Sequence, residues 1–483
     1  MLIVKSIVNK LKTPGSALRQ MSFVVGGTCI AQVLNVLILP VISRIYTPAD
    51  FGVLAVYTSV IAVLSEVSGF RYHNAIPLPK NKRYSQALVT LSAGIQCIIV
   101  TFILLILLLW GDNILNVVSI GILSQYKLFI PVGVTAIGVY NILVKMSIRN
   151  SCFAAIAKTK ISQALGRNIT FFILGITIHG PVGLIIGTII GQSGGIITLL
   201  KNLLPLKNLF CTEPAIIYRV ALRYRHFPLY NMCFGVVNTF GLYLPQLALS
   251  AYYGPSVTGI YAMATLLLSL PSRFIGEAIG SVFVQRASTA SHTGNLQNLS
   301  MRFYIVMLKI SIFPVAVLSL SAPLLLGIIL GTQWAESGVY ALALVPFTGF
   351  SLVYSPLNVL YLICERQKEA LWHEILSVVC KITIFCCGGL YNITPIYIIF
   401  LFSLVSSVVS FLRVIYLLGI VGISKYCVVI STFKTLSFAA CLLLLPGLCY
   451  VYSFNKLCLL SITILLIPYL YKTMKDMQSL SVL

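Results

Sequence analysis

What most limits the fold of this chain is a succession of apolar runs, each near the length of a membrane-crossing helix. The hydrocarbon core is about 30 Å thick, so a spanning helix needs about 20 mostly apolar residues. Such runs fall at 20–42, 52–70, 86–110, 128–147, 163–179, 182–200, 227–249, 257–282, 304–330, 337–362, 370–390, 395–418, 435–452 and 457–471. The expectation is an all-α integral membrane protein of about fourteen transmembrane helices. The count falls to twelve if two pairs of runs do not each cross separately: 163–179 with 182–200, joined by His179-Gly180-Pro181, and the last two.

Composition enters here as a test. Of 483 residues, 59% are hydrophobic and 9% are charged, against about 25% charged in a soluble domain. Such a chain has too little polar surface to cover itself in water. Its balance is basic, with 33 Lys plus Arg against 10 Asp plus Glu and a net charge of +23. A nucleic-acid partner is one reading of that excess, but its location argues otherwise. With the N-terminus inside, the cytoplasmic segments are 71–85, 148–162, 201–226, 283–303, 363–369 and 419–434. They hold nearly all the connecting cations, from Arg71, Lys80, Lys82 and Arg83 to Lys425 and Lys434. The outer segments hold only Arg44, Lys127 and Lys456. Basic residues gathered on one side set orientation, so both termini are expected in the cytoplasm. The first 19 residues carry Lys5, Lys10, Lys12 and Arg19 with Val4, Ile7, Val8 and Leu11 at helical spacing. They read as an in-plane amphipathic segment, not a cleaved signal. The 13 Cys are scattered without a C-x-x-C pair, which points to neither a metal site nor a disulfide framework.

The chain also repeats itself. At an offset of 207 residues, Tyr46, Pro48, Gly52, Ala55, Thr58 and Gly69 meet Tyr253, Pro255, Gly259, Ala262, Thr265 and Gly276. Six predicted helices separate the copies, so the halves share one orientation. Parallel repeats of this kind surround a central site in transporters. The expected organisation is an amphipathic segment at 1–19, an N-lobe at 20–200, a basic cytoplasmic linker at 201–226, a C-lobe at 227–418, and two further helices with a tail at 419–483.

Several stretches then carry a family resemblance: Gly26-Gly27 through Gln32, Leu39-Pro40, Arg44-Ile45-Tyr46-Thr47-Pro48-Ala49-Asp50-Phe51-Gly52, Arg71-Tyr72 and Ala75-Ile76-Pro77-Leu78-Pro79. Over roughly the first 85 residues the chain resembles the polysaccharide transport family. That family includes O-antigen flippases and belongs to the multidrug/oligosaccharidyl-lipid/polysaccharide exporter superfamily. Family members often place an acidic residue just after the Arg-Tyr pair, where this chain has His73 and Asn74. The resemblance implies a flippase that moves an undecaprenyl-pyrophosphate-linked oligosaccharide from the cytoplasmic to the periplasmic leaflet of a bacterial inner membrane. It also implies membrane lipids and polysaccharide polymerase machinery as partners.

A pyrophosphate must be neutralised before it enters a low-dielectric cavity, and Arg suits it through its planar donors. Cations in or beside the apolar runs are therefore the candidates: Arg44, Lys145, Arg149, Arg167, Arg273, Lys381 and Arg413. The competing reading for each one near a helix end is snorkelling to the headgroups; Lys381 is the deepest. Glu66 is the repeat partner of Arg273, and Glu277 follows Arg273 by four residues. Glu66, Arg273 and Glu277 are thus candidates for a gate or coupling site, with Glu66 and Arg273 forming a latch between the lobes. Tyr243, Tyr252, Tyr253, Tyr261 and Tyr354 could stack on sugar rings, although most such residues serve in packing or the interface belt. A cation-coupled multidrug antiporter is the alternative, with Glu66 as its carboxylate. A polysaccharide polymerase or ligase is disfavoured, because no long outer loop is available for catalytic residues. No covalent chemistry, metal or cofactor is expected.

Overall fold

The computed structural model describes residues 17–117, 119–203, 210, 213–271 and 277–451, with 461, 464, 465, 468, 469 and 473 beyond them. Among these residues the chain is all helical, with no strand. Eleven helices among the described residues are long and apolar enough to cross a membrane, and the protein is a multi-pass membrane protein. One of the eleven, Phe227–Leu270, takes in the predicted run 227–249 and much of 257–282. The helix over 163–179 is present but is not among the eleven. Most of the predicted helix 457–471 and most of the amphipathic segment 1–19 lie outside the described residues.

The chain packs as two compact units, Met1–Thr258 and Gly259–Leu483. The first unit holds α1 (Ala17–Ile45), α2 (Pro48–Ser68), α3 (Lys82–Val117), α4 (Phe129–Arg149), α5 (Phe153–Thr177), α6 (Val182–Ser193), α7 (Ile196–Leu203) and α8 (Pro214–Arg223). It also holds most of α9 (Cys233–Pro271).

The motif that carries the family resemblance is a helix stop and start. Thr47 caps α2 by accepting a bond from the Asp50 backbone N–H at 3.2 Å, and the Asp50 carboxylate accepts the Thr47 N–H at 2.9 Å. Pro48 fills the first helical turn, where its missing N–H costs nothing. Tyr46, nearly fully buried, donates to the Phe171 carbonyl of α5 at 2.9 Å. The second copy of the repeat turns by a different device. Gly254 adopts φ 81° inside α9, a left-handed conformation open chiefly to glycine. The two copies also touch, since a Cβ on Gly52 would lie 1.8 Å from the Pro255 carbonyl oxygen.

Polar side chains join helices where lipid supplies no hydrophobic drive between them. Asn168 of α5 donates to Asn35 of α1 at 3.1 Å, and Gln96 of α3 donates to the Thr135 carbonyl of α4 at 3.2 Å. Along α2 and α9 two such contacts follow one another at heptad spacing on α2: Ser59 to Gln246 at 2.8 Å, and Thr239 to Glu66 at 3.0 Å.

The second unit contains α10 (Glu277–Thr293), α11 (Leu296–Leu330), α12 (Ala335–Ala343), α13 (Val345–Leu357), α14 (Val359–Ile363), α15 (Gln367–Leu390), α16 (Pro395–Ile420) and α17 (Lys425–Val451). The single run predicted at 337–362 is broken into α12, α13 and α14. Phe283, Phe303, Tyr304, Phe313, Leu357 and Leu417 belong to the core of this unit. The Tyr304 and Thr432 hydroxyls meet inside that core at 2.6 Å.

Candidate functional site

In the first unit, α2 ends at Ser68 and the chain turns back toward α3. Phe70 and Arg71 both take left-handed backbone angles, φ 47° and 55°, before a short 3-10 helix at Tyr72–Ala75. Such angles are costly for residues with a Cβ and persist where the surroundings enforce them. Here the Arg71 guanidinium is tied down on two sides. It pairs with the Glu66 carboxylate through its Nε and a terminal nitrogen. Its other terminal nitrogen donates to the Asn231 side chain at 2.9 Å. Glu66 in turn accepts from Thr239.

This ion pair lines a cavity of about 380 Å³ whose other walls are Ser65, His73, Asn74, Asn141 and Lys145. Asn141 and Lys145 stand one turn apart on α4, so both face the cavity. One carboxylate therefore faces a guanidinium and an ammonium group, amid hydroxyl and amide groups. His73 lies outside the membrane-spanning segments. Burial, with Lys145 and Arg71 adding repulsion, holds its imidazole down to about 4, partly opposed by Glu66. It is a neutral group at physiological pH.

The second unit holds another charge cluster. Arg413 of α16 donates to Glu374 of α15 at 2.9 Å and to the Tyr354 hydroxyl at 3.3 Å. Its guanidinium carbon lies 5.2 Å from the centre of the Tyr354 ring, and a further bond goes to the His373 carbonyl. Lys381 is buried seven residues after Glu374 on the same face of α15, within electrostatic reach of both partners.

The candidates read from sequence thus separate. Lys145 joins the cavity of the first unit, whereas Lys381 and Arg413 come together in the second. Arg149 spends its guanidinium on the carbonyls of Pro79 and Lys80. Arg44 is exposed at the end of α1. Arg167 is half-buried, 6.0 Å from the centre of the Phe171 ring. Arg273 lies outside the described residues, as does the side chain of Glu277, which opens α10. Glu66, taken from the sequence as one half of a latch with Arg273, is engaged by Arg71 and Thr239.

Two participants escaped the sequence reading. Arg71 was placed among the topology-setting loop cations; its signal was a carboxylate five residues earlier at a helix end. Glu374 was not singled out at all; its signal was a heptad spacing to Lys381 within an apolar run. Among the sugar-stacking candidates, Tyr261 is buried, Tyr252 is exposed, and Tyr354 is held by Arg413.

Residues 41–339 match the family model described as polysaccharide biosynthesis protein. The chain belongs to this family. No curated protein matches its sequence significantly. Among solved structures, it resembles the lipid II flippase MurJ in an inward closed conformation, with a TM-score of 0.70 and 15% identity over 92% of this chain and 97% of that one. It also resembles a mutant of the Vibrio cholerae MATE transporter VcmN, with a TM-score of 0.57 and 13% identity over 90% and 98%. A third likeness is to an inward-facing multidrug resistance MATE family transporter of the MOP superfamily, with a TM-score of 0.64 and 13% identity over 81% and 95%. These likenesses establish the fold. The folds it shares are those of transporters.

Proposed function

We propose that this family member is a flippase for an undecaprenyl-pyrophosphate-linked oligosaccharide, an O-antigen or similar repeat unit, moved from the cytoplasmic to the periplasmic leaflet by alternating access. The observation that carries this reading is the cavity of the first unit. Arg71 and Lys145 can neutralise a diphosphate, while Ser65, Asn74 and Asn141 can hydrogen-bond a sugar. Glu66 holds Arg71 in place and does not cancel the second cation. The polyprenyl tail stays in lipid. The substrate named for MurJ, lipid II, supports the same reading.

In this reading the protein sits in a bacterial inner membrane with both termini in the cytoplasm and works beside polysaccharide polymerase machinery. Its lobes are the parallel repeats 20–200 and 227–418, joined by the linker 201–226. The likeness to MATE transporters and the carboxylate in the cavity favour a second reading, a cation-coupled drug antiporter using Glu66.

The deciding experiment measures lipid-linked oligosaccharide at the outer leaflet of cells lacking their own flippase. The oligosaccharide is expected outside only when this gene is present, and in smaller amount when Arg71 or Lys145 is replaced. Drug efflux without oligosaccharide translocation, abolished by Glu66→Gln, would establish the antiporter instead.

A further inference from the structure

One turn beyond Lys145, α4 ends at Arg149, and the loop that follows the short 3-10 helix comes back to meet it. That loop reads Ile76-Pro77-Leu78-Pro79-Lys80. Its two prolines lack N–H donors, and the Leu78 N–H closes a turn across Pro77 on the Ala75 carbonyl at 3.0 Å. Its carbonyls are satisfied from outside: Ser85 donates to Ile76 at 2.9 Å, and Arg149 donates to Pro79 and to Lys80. The backbone is thereby fixed against the end of α4.

Between loop and helix lies a second cavity, of about 500 Å³. Lys80, Lys82 and Arg149 line it together with Asn150, and none of its lining residues is acidic. The nearby carboxylate of Glu213 is directed to Arg83, at 3.9 Å. Arg149 gives its hydrogen bonds to neutral carbonyls, so its charge is undiminished in the cavity. Met146, buried, lines this cavity, and its chain neighbour Lys145 lines the other.

Two flexible ammonium groups and a fixed guanidinium, open at the end of the membrane helices, match a phosphate borne by a lipid. We propose that this cavity binds the phosphate headgroup of a membrane-anchored anion, with Lys80 and Lys82 as the contacting cations and Arg149 as the residue that shapes the wall. The site goes beyond the flippase reading and does not depend on it. Two sources share this chemistry: bulk anionic phospholipid and a polyprenyl diphosphate.

The test uses the full chain, purified in neutral detergent and titrated separately with phosphatidylglycerol, farnesyl diphosphate and zwitterionic phosphatidylcholine, reading bound adducts by native mass spectrometry. Both lysines are exposed, so the K80A/K82A variant folds. It should bind the anionic probes about tenfold more weakly than the parent, since each surface cation near a lipid phosphate contributes on the order of a several-fold preference. Loss confined to phosphatidylglycerol assigns the site to bulk lipid, and loss confined to farnesyl diphosphate assigns it to a polyprenyl headgroup. Loss of both establishes a shared phosphate site. Equal binding by parent and variant, or no preference for anionic over zwitterionic lipid, overturns the proposal. R71Q/K145Q serves as the background that removes the neighbouring cavity's cations: adding K80A/K82A to it should still weaken phosphatidylglycerol binding about tenfold, and no further loss on that background overturns the proposal. A failed translocation assay with intact lysine-dependent binding removes the flippase reading and leaves this site standing.

Discussion

Each unit of the protein contains a carboxylate with two cations, but the two clusters sit in different media. In the first, the Glu66 and Arg71 side chains are 18% and 22% exposed and border an open cavity with Lys145. In the second, Glu374 and Arg413 are 9% and 7% exposed, with Lys381 buried close by. The difference teaches what charge is for in each place. A buried ion pair gains little net stability, because desolvation offsets attraction; removing one partner is what costs. A pair at the wall of a wet cavity loses less water and keeps its field available to a ligand. The dry cluster therefore fixes α15 against α16 and Tyr354, while the wet one remains able to exchange partners.

Breaking the two carboxylates separately tests that division most strongly. Glu374→Ala strands the Arg413 guanidinium in the core and should destabilise the protein by about 3–5 kcal/mol. Glu66→Ala leaves Arg71 beside water and should cost about 1.5–3 kcal/mol, the scale of a hydrogen bond to a charged group. Thermal unfolding in detergent measures both. Equal losses would mean that the clusters are not in different media. The double variant E374M/R413M should return to within about 1 kcal/mol of the parent, because replacing both charges by apolar groups removes the desolvation cost as well.

The architecture was far more legible in the sequence than the clusters were. Apolar run length is a local property, so α1 to α5, α11, α15 and α16 could be located from the residues alone. Tyr46-Thr47-Pro48-Ala49-Asp50 could likewise be placed at a turn, since capping is settled within four residues. The break of 337–362 into three helices was not legible, and neither was the continuation of α9 through Tyr253-Gly254-Pro255. Those outcomes depend on what packs alongside. The clusters were hidden for a related reason. Arg413 and Glu374 lie 39 residues apart, and nothing local to either names the other. Arg71 looked like every other loop cation, because the left-handed turn that aims it at Glu66 is a product of folding.

Transport should respond in the opposite order from stability. Arg71→Gln and Lys145→Gln each remove a charge facing the cavity and should lower oligosaccharide translocation about tenfold, equivalent to ~1.4 kcal/mol, with unfolding temperatures close to the parent. Lys381→Gln should shift translocation by less than about twofold, the level set by a small stability change. A transport defect in Lys381→Gln as large as that in Arg71→Gln would place substrate at the dry cluster. Exchanging the wet pair, E66R/R71E, sharpens the point. The ion pair survives the swap, so recovery of transport would make Arg71 a structural strut, and continued loss would make it a ligand for phosphate.

The smallest effect concerns His73, which occupies the spot where an acidic residue is common in the family that the sequence resembles. Its imidazole is held to about 4 by burial first, then by Lys145 and Arg71, against a partial pull upward from Glu66. The unfolded chain protonates the same group near 6.5. Above that pH neither state binds the proton, and the full stability is present. As pH falls from about 6.5 toward 4, the unfolded state takes up a proton that the native state refuses, so stability is lost through that window. In His73→Gln this part of the slope should vanish. Unfolding temperatures of the parent and the variant at pH 7.5, 6, 5 and 4.5 isolate the contribution, because the other four histidines are common to both proteins. Lys145→Gln should narrow the window by relieving repulsion, and Glu66→Gln should widen it. Superimposed slopes for parent and His73→Gln would mean that the imidazole is hydrated in both states, and that burial does not hold it neutral beside the wet cluster.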